Sequence, residues 1–260
     1  PNPLGEGWAW DDYPYYYAAE RSAFPIYGNA VQATLKDNTL ELTPFFFEKM
    51  VARDSVGSKF KRLQSANAFS YNLSQWQKKD TLTHPFITSD SLFVKLLSES
   101  TGNEVVLADQ PWDDLTWEKL YIDDDAPLYR ALLQDSDNGI AEALLLMIGQ
   151  EEFKEMDSQK AIDSILAIWK PWLLDPVSWV DGSGVSRYNM ITPRALVGVL
   201  QKIHEIVGWK IIQSYFPQGA SSGTLKKYAN TSIYAKTGTL RHNHNLSGYL
   251  VHPKGTTYAF

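Results

Sequence analysis

The chain has 260 residues, of which 44% are hydrophobic, enough to bury the core of one large domain or two small ones. Its formal net charge of −6 argues against a nucleic-acid-binding protein, which needs a basic face. The sequence has no cysteine, so disulfides, cysteine nucleophiles and thiolate metal sites are excluded.

The ends of the sequence predict an excerpt of a longer protein. The chain begins at Pro1 without an initiator methionine and ends at TTYAF, inside a predicted strand. No apolar run is long enough to form a transmembrane segment, and no stretch resembles a signal peptide. On this interpretation the missing signal peptide says nothing about export.

Residues 1–88 are predicted to be β-rich and irregular. VQATLKDNTLELT, residues 31–43, has two alternating segments around Lys-Asp-Asn, which predicts a β-hairpin. The opening GWAWDDYPYYYAAE, residues 7–20, is dense in aromatic residues. It suits either a platform for a sugar or peptide or a packing cluster at a domain edge, and we favour the packing cluster.

From about residue 89 the pattern changes to helices and then to strands. SDSLFVKLLSESTG begins with Ser and Asp, has apolar residues at helical spacing, and ends at Gly102. TPRALVGVLQKIHEIVG has Thr192 at the N-cap and Pro193 at the first helical position. Three further helices are predicted between them, in APLYRALLQ, NGIAEALLLMIGQ and DSQKAIDSILAIWKPWLL. The last segment returns to strands in SIYAKTGTL, NLSGYLVH and TTYAF, so the order favours an α+β fold with an antiparallel meander.

Three short motifs in the second part carry chemically useful residues. Ser136-Asp137-Asn138 opens an apolar helix, Asp181-Gly182-Ser183-Gly184 lies in a loop, and Lys236-Thr237-Gly238-Thr239 lies on a strand. Each motif alone has an ordinary explanation, as a helix cap, a turn and a bulged strand. S-D-N together with K-T-G is a set found in serine β-lactamases and penicillin-binding proteins.

With these motifs the sequence resembles the class C low-molecular-mass penicillin-binding proteins, the D-alanyl-D-alanine carboxypeptidase/endopeptidases. SDNGIAEALL, DGSGVSRYNMITPRALVGVL and AKTGTLRHNHNLSGYL carry the resemblance. It implies a penicillin-binding-protein/β-lactamase-like α+β domain, an antiparallel sheet flanked by helices, over residues 89–260. It further implies that residues 1–88 are part of an inserted β-rich accessory region.

The resemblance implies a catalytic role for residues of two of the motifs. Ser136 would relay the proton of a nucleophile, Asn138 would hold the substrate amide, and Lys236 would orient Ser136 and attract a C-terminal carboxylate. Gly238 would leave room for a substrate backbone along the strand.

The same resemblance assigns substrate binding to the two threonines of the strand. The hydroxyls of Thr237 and Thr239 would bind the carboxylate, and the Thr239 N–H would form half of the oxyanion hole. Asp181 and Ser183 are interpreted as residues that shape the cleft wall, with scaffolding favoured over catalysis.

The nucleophile that the family places in an S-x-x-K motif has no good counterpart. One formal match exists, from Ser58 to Lys61, but it falls in the expected accessory region, and no apolar helix follows it. We therefore expect the nucleophile to lie outside this chain and consider Ser58 a poor candidate.

The leading interpretation is a serine D-Ala-D-Ala carboxypeptidase/endopeptidase that forms an acyl-enzyme with peptidoglycan stem peptides and with β-lactams. It implies no metal, no cofactor and no nucleic-acid partner, and a periplasmic or otherwise exported location. A rival from another class is a binding module that has lost its nucleophile and only holds peptidoglycan peptides. A third interpretation is a serine β-lactamase or esterase, which the accessory insertion disfavours.

Four side chains outside the motifs are weaker candidates for a functional role. His242 and His244 stand two apart, a spacing that would place two metal ligands on one face of a strand, but no carboxylate or cysteine nearby completes a set, and a polar turn is favoured. Arg187 and Arg194 suit either a carboxylate-binding role or a helix-surface or capping role.

Overall fold

The structure is a computed structural model that describes residues 1–78, 80–108, 116, 118 and 121–260. The chain divides into two compact units, Pro1–Tyr121 and Ile122–Phe260. This division reflects which parts of the chain pack together. The domain boundaries predicted from the sequence, 1–88 and 89–260, stay a prediction.

In its described residues the first unit contains two small sheets, one α-helix and several short 3₁₀ helices. The strands of this unit are β1 (Ala30–Lys36), β2 (Thr39–Thr43), β3 (Val51–Arg53), β4 (Phe60–Arg62), β5 (Phe69–Tyr71) and β6 (Thr81–Pro85). Its first sheet has the order β2-β1-β6 and is antiparallel throughout, whereas in its second sheet, of order β3-β5-β4, the β3–β5 pair is parallel. The predicted hairpin is confirmed: Asp37 and Asn38 form its turn with left-handed φ of 48° and 64°.

Aromatic side chains form the core of the first unit. The buried Phe47 ring packs 5.6 Å from Phe69 and 5.2 Å from Phe86, measured between ring centroids. The helix α1 (Asp90–Thr101) adds the buried Leu92 and Leu96 to this core.

Both predicted ends of α1 are confirmed. The Ser89 hydroxyl accepts a hydrogen bond from the Leu92 amide, and Gly102 ends the helix in the left-handed conformation.

The aromatic opening segment packs only in part. Tyr13 donates to the Glu20 carboxylate and Tyr17 donates to Asp12, which ties these two rings to their neighbours. Trp10 and Tyr16 remain exposed, so the packing-cluster interpretation describes only some of these rings.

The second unit is built from four helices and one sheet. Its helices are α2 (Ala126–Arg130), α3 (Asn138–Phe153), α4 (Ser158–Trp169) and α5 (Pro193–Tyr215). Side chains cap three of them as the residue types predict, namely Asp137 for α3, Asp157 for α4 and Thr192 for α5. The predicted helical segment TPRALVGVLQKIHEIVG ends at Gly208, whereas α5 has non-helical backbone there, at φ 75°, and continues to Tyr215.

The sheet of the second unit is the predicted antiparallel meander. β7 (Ile233–Leu240) pairs with β8 (Asn243–Val251), and β8 pairs with β9 (Thr257–Ala259). Tyr249 of β8 lies in the core and donates a 2.6 Å hydrogen bond to the Leu200 carbonyl of α5. This contact fixes α5 against the sheet.

The described part of the chain is therefore a mixed α+β protein, as predicted. Among these residues no helix has both the length and the apolar character needed to cross a membrane.

Candidate active site

Ser136 lies in a tight connection between two helical segments. α2 passes into a wider helical turn at Ala131–Asp135, and α3 then begins at Asn138. The Asp137 carboxylate accepts a 3.0 Å hydrogen bond from the Ile140 amide, so Asp137 is the residue that caps α3. Ser136 has φ 60° and ψ 47°, a left-handed conformation that a non-glycine residue adopts at a cost. Ser136 is therefore held just before the helix and leaves the capping to its neighbour.

Lys236 connects this helix start to the sheet. Its Nζ donates a 2.6 Å hydrogen bond to Ser136 Oγ and a 2.7 Å hydrogen bond to the Thr237 carbonyl. Within the described residues these contacts use two of the three N–H bonds of the ammonium, which leaves one for a bound group. Burial lowers the pKa of Lys236 below that of a free lysine. A partly buried ammonium that is incompletely paired favours an anionic ligand.

β7 presents an open strip of backbone next to Lys236. A methyl group placed on Gly238 would meet no atom within 4 Å. β7 is an outer strand of the sheet β7-β8-β9, but its first half is hydrogen-bonded on the outer side to Pro217 and Gly219, through Ala235 and Ile233. The second half, around Gly238, is therefore the part that can accept an extended peptide beside it. Thr237 Oγ1, next along the strand, donates a 3.0 Å hydrogen bond to Thr224 Oγ1. Lys236, Thr237 and Gly238 thus form one edge that can contact a peptide and its carboxylate.

Thr239, the last residue of the motif, is held by a histidine on the neighbouring strand. Thr239 and His244 are direct partners in the β7–β8 register, and Thr239 Oγ1 lies 2.7 Å from His244 Nδ1. The other ring nitrogen, Nε2, lies 3.0 Å from the Tyr228 hydroxyl. His244 therefore lies on β8 and links Thr239 to Tyr228 in a hydrogen-bonded chain. The prediction that it belongs to a polar turn is wrong. His242 does lie in the turn, with a left-handed φ of 66°.

The Asp181 side chain organises the loop that contains the Asp-Gly-Ser-Gly motif. Asp181 is buried and accepts hydrogen bonds from the Gly184 amide at 2.8 Å, the Ser186 amide at 2.6 Å and the Asn189 side chain at 2.7 Å. A carboxylate with three such donors fixes a loop in one conformation.

The same loop is attached to the helix that Ser136 precedes. The Ser183 amide donates a 2.8 Å hydrogen bond to the buried Glu142 carboxylate of α3. A methyl group on Gly182 would lie 2.6 Å from the Ala141 carbonyl, so only glycine permits this close packing. Asp181 and Ser183 thus have the surroundings of structural residues, and their predicted role in the cleft wall remains a prediction.

The structure brings together some predicted residues and leaves others apart. Ser136 and Lys236 are in direct contact, and Asn138 is the first residue of α3, two positions after Ser136. Ser58 is exposed and precedes the short strand β4, which contains Lys61. Side chains on a strand alternate between its two faces, unlike the serine and lysine of a helical S-x-x-K, which share one face. This geometry counts against Ser58 as the nucleophile.

Arg194 has a structural role. Its guanidinium pairs with the Asp175 carboxylate, which also accepts a 2.6 Å hydrogen bond from Thr192, the cap of α5. The Arg194 guanidinium and the Thr192 hydroxyl lower the pKa of Asp175 to about 2. Arg194 therefore stabilises the start of α5, in line with the capping alternative.

Four residues near the motifs escape sequence reasoning, namely Glu142, Thr224, Tyr228 and His244. For the last three of these residues, the charge pattern of the sequence does indicate that they lie near a binding site. Residues 206–260 contain five lysines and one arginine but no aspartate or glutamate, in a chain whose net charge is −6. This acid-free segment includes β7 and β8, and a local excess of positive charge favours anionic ligands.

Metal binding has no evident site here. Among the described residues no group of three or more histidine, aspartate or glutamate side chains is arranged to hold a metal ion.

Comparison with known proteins identifies the family. The sequence profile described as the D-Ala-D-Ala carboxypeptidase 3 (S13) family matches residues 2–260. The chain belongs to the S13 family. This confirms the predicted relationship to the low-molecular-mass penicillin-binding proteins.

Two curated proteins are similar over about half of the chain. Penicillin-sensitive carboxypeptidase A of Dictyostelium discoideum is 34% identical over 133 residues, which are 47% of this chain and 25% of that protein. D-alanyl-D-alanine carboxypeptidase DacB of Haemophilus influenzae is 27% identical over 144 residues, 51% of this chain and 30% of that protein. Each match therefore involves less than a third of the relative's own length.

Solved structures support the fold of this S13 chain. Penicillin-binding protein 4 (dacB) of Haemophilus influenzae matches with a TM-score of 0.74 and 20% identity, over 100% of this chain and 65% of that chain. A complex of the same protein with a β-lactam matches with a TM-score of 0.61 and 19% identity, over 89% and 60% of the two chains. At this level of identity the likeness shows the fold alone, and it confirms the predicted penicillin-binding-protein architecture.

Proposed function

We propose that this chain forms the substrate-binding and proton-transfer part of a serine D-Ala-D-Ala carboxypeptidase/endopeptidase that acts on peptidoglycan stem peptides. The observation that carries the proposal is the 2.6 Å contact between Lys236 Nζ and Ser136 Oγ, next to the open strand at Gly238. Membership of the S13 family supports it. An ammonium, a hydroxyl and an open strand edge are what a peptide with a free C-terminal carboxylate requires.

Binding is the first part of the proposed mechanism. The terminal D-Ala carboxylate contacts the Lys236 ammonium and the hydroxyls of Thr237 and Thr239, once the Thr237 proton has turned from Thr224 to the ligand. The peptide backbone lies along β7 at Gly238, and the Asn138 amide binds the amide group that precedes the scissile bond. The positive charge of the acid-free segment raises the local concentration of anionic substrate.

Acyl transfer is the second part. A serine from outside this chain attacks the carbonyl carbon between the two D-Ala residues, and a C–O ester bond replaces the C–N peptide bond. Ser136 relays the proton to the leaving amine, and Lys236 holds the Ser136 hydroxyl in the orientation that this transfer needs. The Thr239 N–H stabilises the oxyanion, and water then hydrolyses the ester. These steps use hydroxyl, ammonium and amide groups and involve no metal ion or cofactor.

The partners and location follow from the same proposal. Peptidoglycan lies outside the cytoplasmic membrane, so the enzyme acts in the periplasm or elsewhere outside the cell interior. β-Lactams react with the same serine, and the name of the similar penicillin-sensitive carboxypeptidase and the β-lactam complex of the similar structure support this expectation.

Mass spectrometry after incubation with benzylpenicillin tests the proposal. A longer protein that joins this chain to an S-x-x-K segment should gain the mass of one penicilloyl group, and this chain alone should gain none. An adduct on the isolated chain would show that the nucleophile lies within it.

Two other results would favour the rival functions. Peptide binding without any adduct on the longer protein would indicate a binding module. Rapid turnover of benzylpenicillin without an accumulated adduct would indicate a β-lactamase.

A further inference from the structure

The hydrogen-bonded chain Thr239–His244–Tyr228 limits what the Thr239 hydroxyl can do. Both ring nitrogens of His244 have oxygen partners, at 2.7 Å for Nδ1 and 3.0 Å for Nε2. A hydroxyl has a single proton to donate, whereas a neutral imidazole has one donor and one acceptor nitrogen. The state of His244 therefore decides whether the Thr239 proton points to the histidine or away from it.

Three states of the imidazole can be compared. If Nδ1 carries no proton, Thr239 donates to it, and the hydroxyl proton cannot then be donated to an external ligand. If Nδ1 carries the only proton, Thr239 accepts, and Tyr228 donates to Nε2. In the cation both nitrogens donate, so Thr239 Oγ1 must accept and its own proton is free for a ligand. Protonation of the His244 ring thus removes the one state in which the Thr239 hydroxyl cannot donate a hydrogen bond to a ligand.

In sequence, the segments that carry Thr239, His244 and Tyr228 contain lysine and arginine and no carboxylate. Tyr228 follows Lys226 and Lys227, the β7–β8 turn contributes Arg241, and β7 contributes Lys236. The acid-free segment 206–260 supplies the elements on which all three residues of the hydrogen-bonded chain lie. A carboxylate bound at Thr239 would therefore be the anion that compensates a protonated His244.

We propose that His244 is a positioning residue for substrate recognition: its protonated ring donates to Thr239 Oγ1, turns the Thr239 proton toward a bound carboxylate, and adds positive charge beside it. The proposal rests on the proposed function, in which Thr239 contacts the terminal carboxylate of the peptide. It makes carboxylate binding stronger at mildly acidic pH, because imidazole changes its charge between about pH 5 and pH 8. The peptide carboxylate itself stays ionised throughout that range, since the pKa of a terminal carboxyl group is about 3.5.

Isothermal titration calorimetry on this chain provides the test. The probes are an N-acetylated peptide that ends in D-Ala-D-Ala and the same peptide with a C-terminal amide. We expect the acid to bind about tenfold more tightly at about pH 5.5 than at about pH 8, the usual effect of one charge-assisted hydrogen bond. The amide should show no such dependence, because it offers no charge to the ring.

Two variants separate the role of His244 from its surroundings. His244→Gln should abolish the pH dependence for the acid, because glutamine does not titrate. His242→Gln, in the neighbouring turn, is the matched control and should keep the wild-type dependence. An unchanged dependence in His244→Gln, or equal dependence for acid and amide, would overturn the inference.

A spectroscopic measurement on the unmodified chain covers the case in which His244→Gln does not fold. Since binding and protonation are linked reciprocally, adding the peptide acid at about pH 7 should move the His244 ring signals in NMR spectra toward those of an imidazolium, and adding the peptide amide should not. Ring signals that respond equally to both peptides, or to neither, would contradict the inference.

Lys236→Ala distinguishes failure of the inference from failure of the proposed function. If Lys236→Ala binds the peptide acid as the wild type does, or if the wild type binds neither peptide, the proposed function and the inference both fail. If Lys236→Ala loses binding while His244→Gln keeps the pH dependence, only the inference fails.

Discussion

Lys236 Nζ and Ser136 Oγ lie 2.6 Å apart although 100 residues separate them in the chain. One group lies on an outer strand of a sheet and the other in the connection before a helix. The contact is therefore made by the tertiary fold, and each side chain depends on the other for its orientation.

Lys236→Ala should separate binding from stability. The variant removes the ammonium that contacts Ser136 and the substrate carboxylate, so acylation of the longer protein by benzylpenicillin should fall about 10²-fold or more. Thermal unfolding should change little, because the lost lysine is only partly buried and its burial disfavours the charged form. Lys227→Ala, an exposed lysine in the same acid-free segment, is the control. An acylation rate within about twofold of the wild type would refute the role of Lys236.

Two glycine substitutions should have opposite effects on folding. Gly238→Val fills open space on a strand that favours valine, so the stability should hold while peptide binding falls at least about tenfold. Gly248→Ala places a methyl group 2.2 Å from the Tyr234 carbonyl, so the free energy of unfolding should drop by about 1–3 kcal/mol. Denaturant unfolding and calorimetric titration measure the two effects. Tight peptide binding by Gly238→Val would show that the peptide does not lie along β7.

Asp181→Asn should loosen the loop without changing its volume. At least one of the three donors that now face carboxylate oxygen would face an amide NH₂ group instead. The buried mismatch should lower the free energy of unfolding by about 1–3 kcal/mol in urea titrations. Asp163→Asn on α4, where the carboxylate is exposed, should stay within about 0.5 kcal/mol of the wild type. An equally small effect at Asp181 would contradict its structural role.

The first unit should lose stability as the solution becomes acidic. Burial, with a smaller contribution from the positive charge of Arg62, lowers the pKa of His84 below its ordinary value of 6.5. The unfolded chain therefore takes up a proton as pH falls through 6.5, whereas the folded unit does not, and the free energy of unfolding decreases. Urea unfolding followed by the indole N–H NMR signal of the buried Trp76 measures this at pH values from about 7.5 to 5.

His84→Phe removes the titrating ring and should flatten the pH dependence of unfolding. His252→Gln, which changes an exposed histidine in the second unit, should leave it as in the wild type. A dependence that persists in His84→Phe would assign the effect to another group.

Local elements are the part of the fold that the sequence predicts well. Ser89 and Thr192 are helix caps in the sequence and in the structure, and Asp37 and Asn38 form the expected turn. These features depend on residues within a few positions of one another, so their physics is visible in the order of the residues. The break at Gly208 is local too, but packing carries α5 on to Tyr215.

The sequence predicts only some of the residues of the candidate site. The motifs identify Ser136 and Lys236, and the structure adds their contact. His244 was indistinguishable from His242 by pattern, because its place opposite Thr239 depends on the turn at Arg241-His242 that sets the strand register. Glu142 lies on the apolar helix α3 and meets Ser183 across 41 residues, a contact that no local rule predicts.

The left-handed backbone of Ser136 has a consequence for the evolution and engineering of this chain. A non-glycine residue in that conformation costs about 1–2 kcal/mol, which glycine avoids. Ser136→Gly would relieve that backbone cost, but it would also delete the hydroxyl that accepts the hydrogen bond from Lys236. The conformational cost and the proposed chemistry thus fall on the same residue, and a variant selected for heat resistance alone should be checked first at this codon.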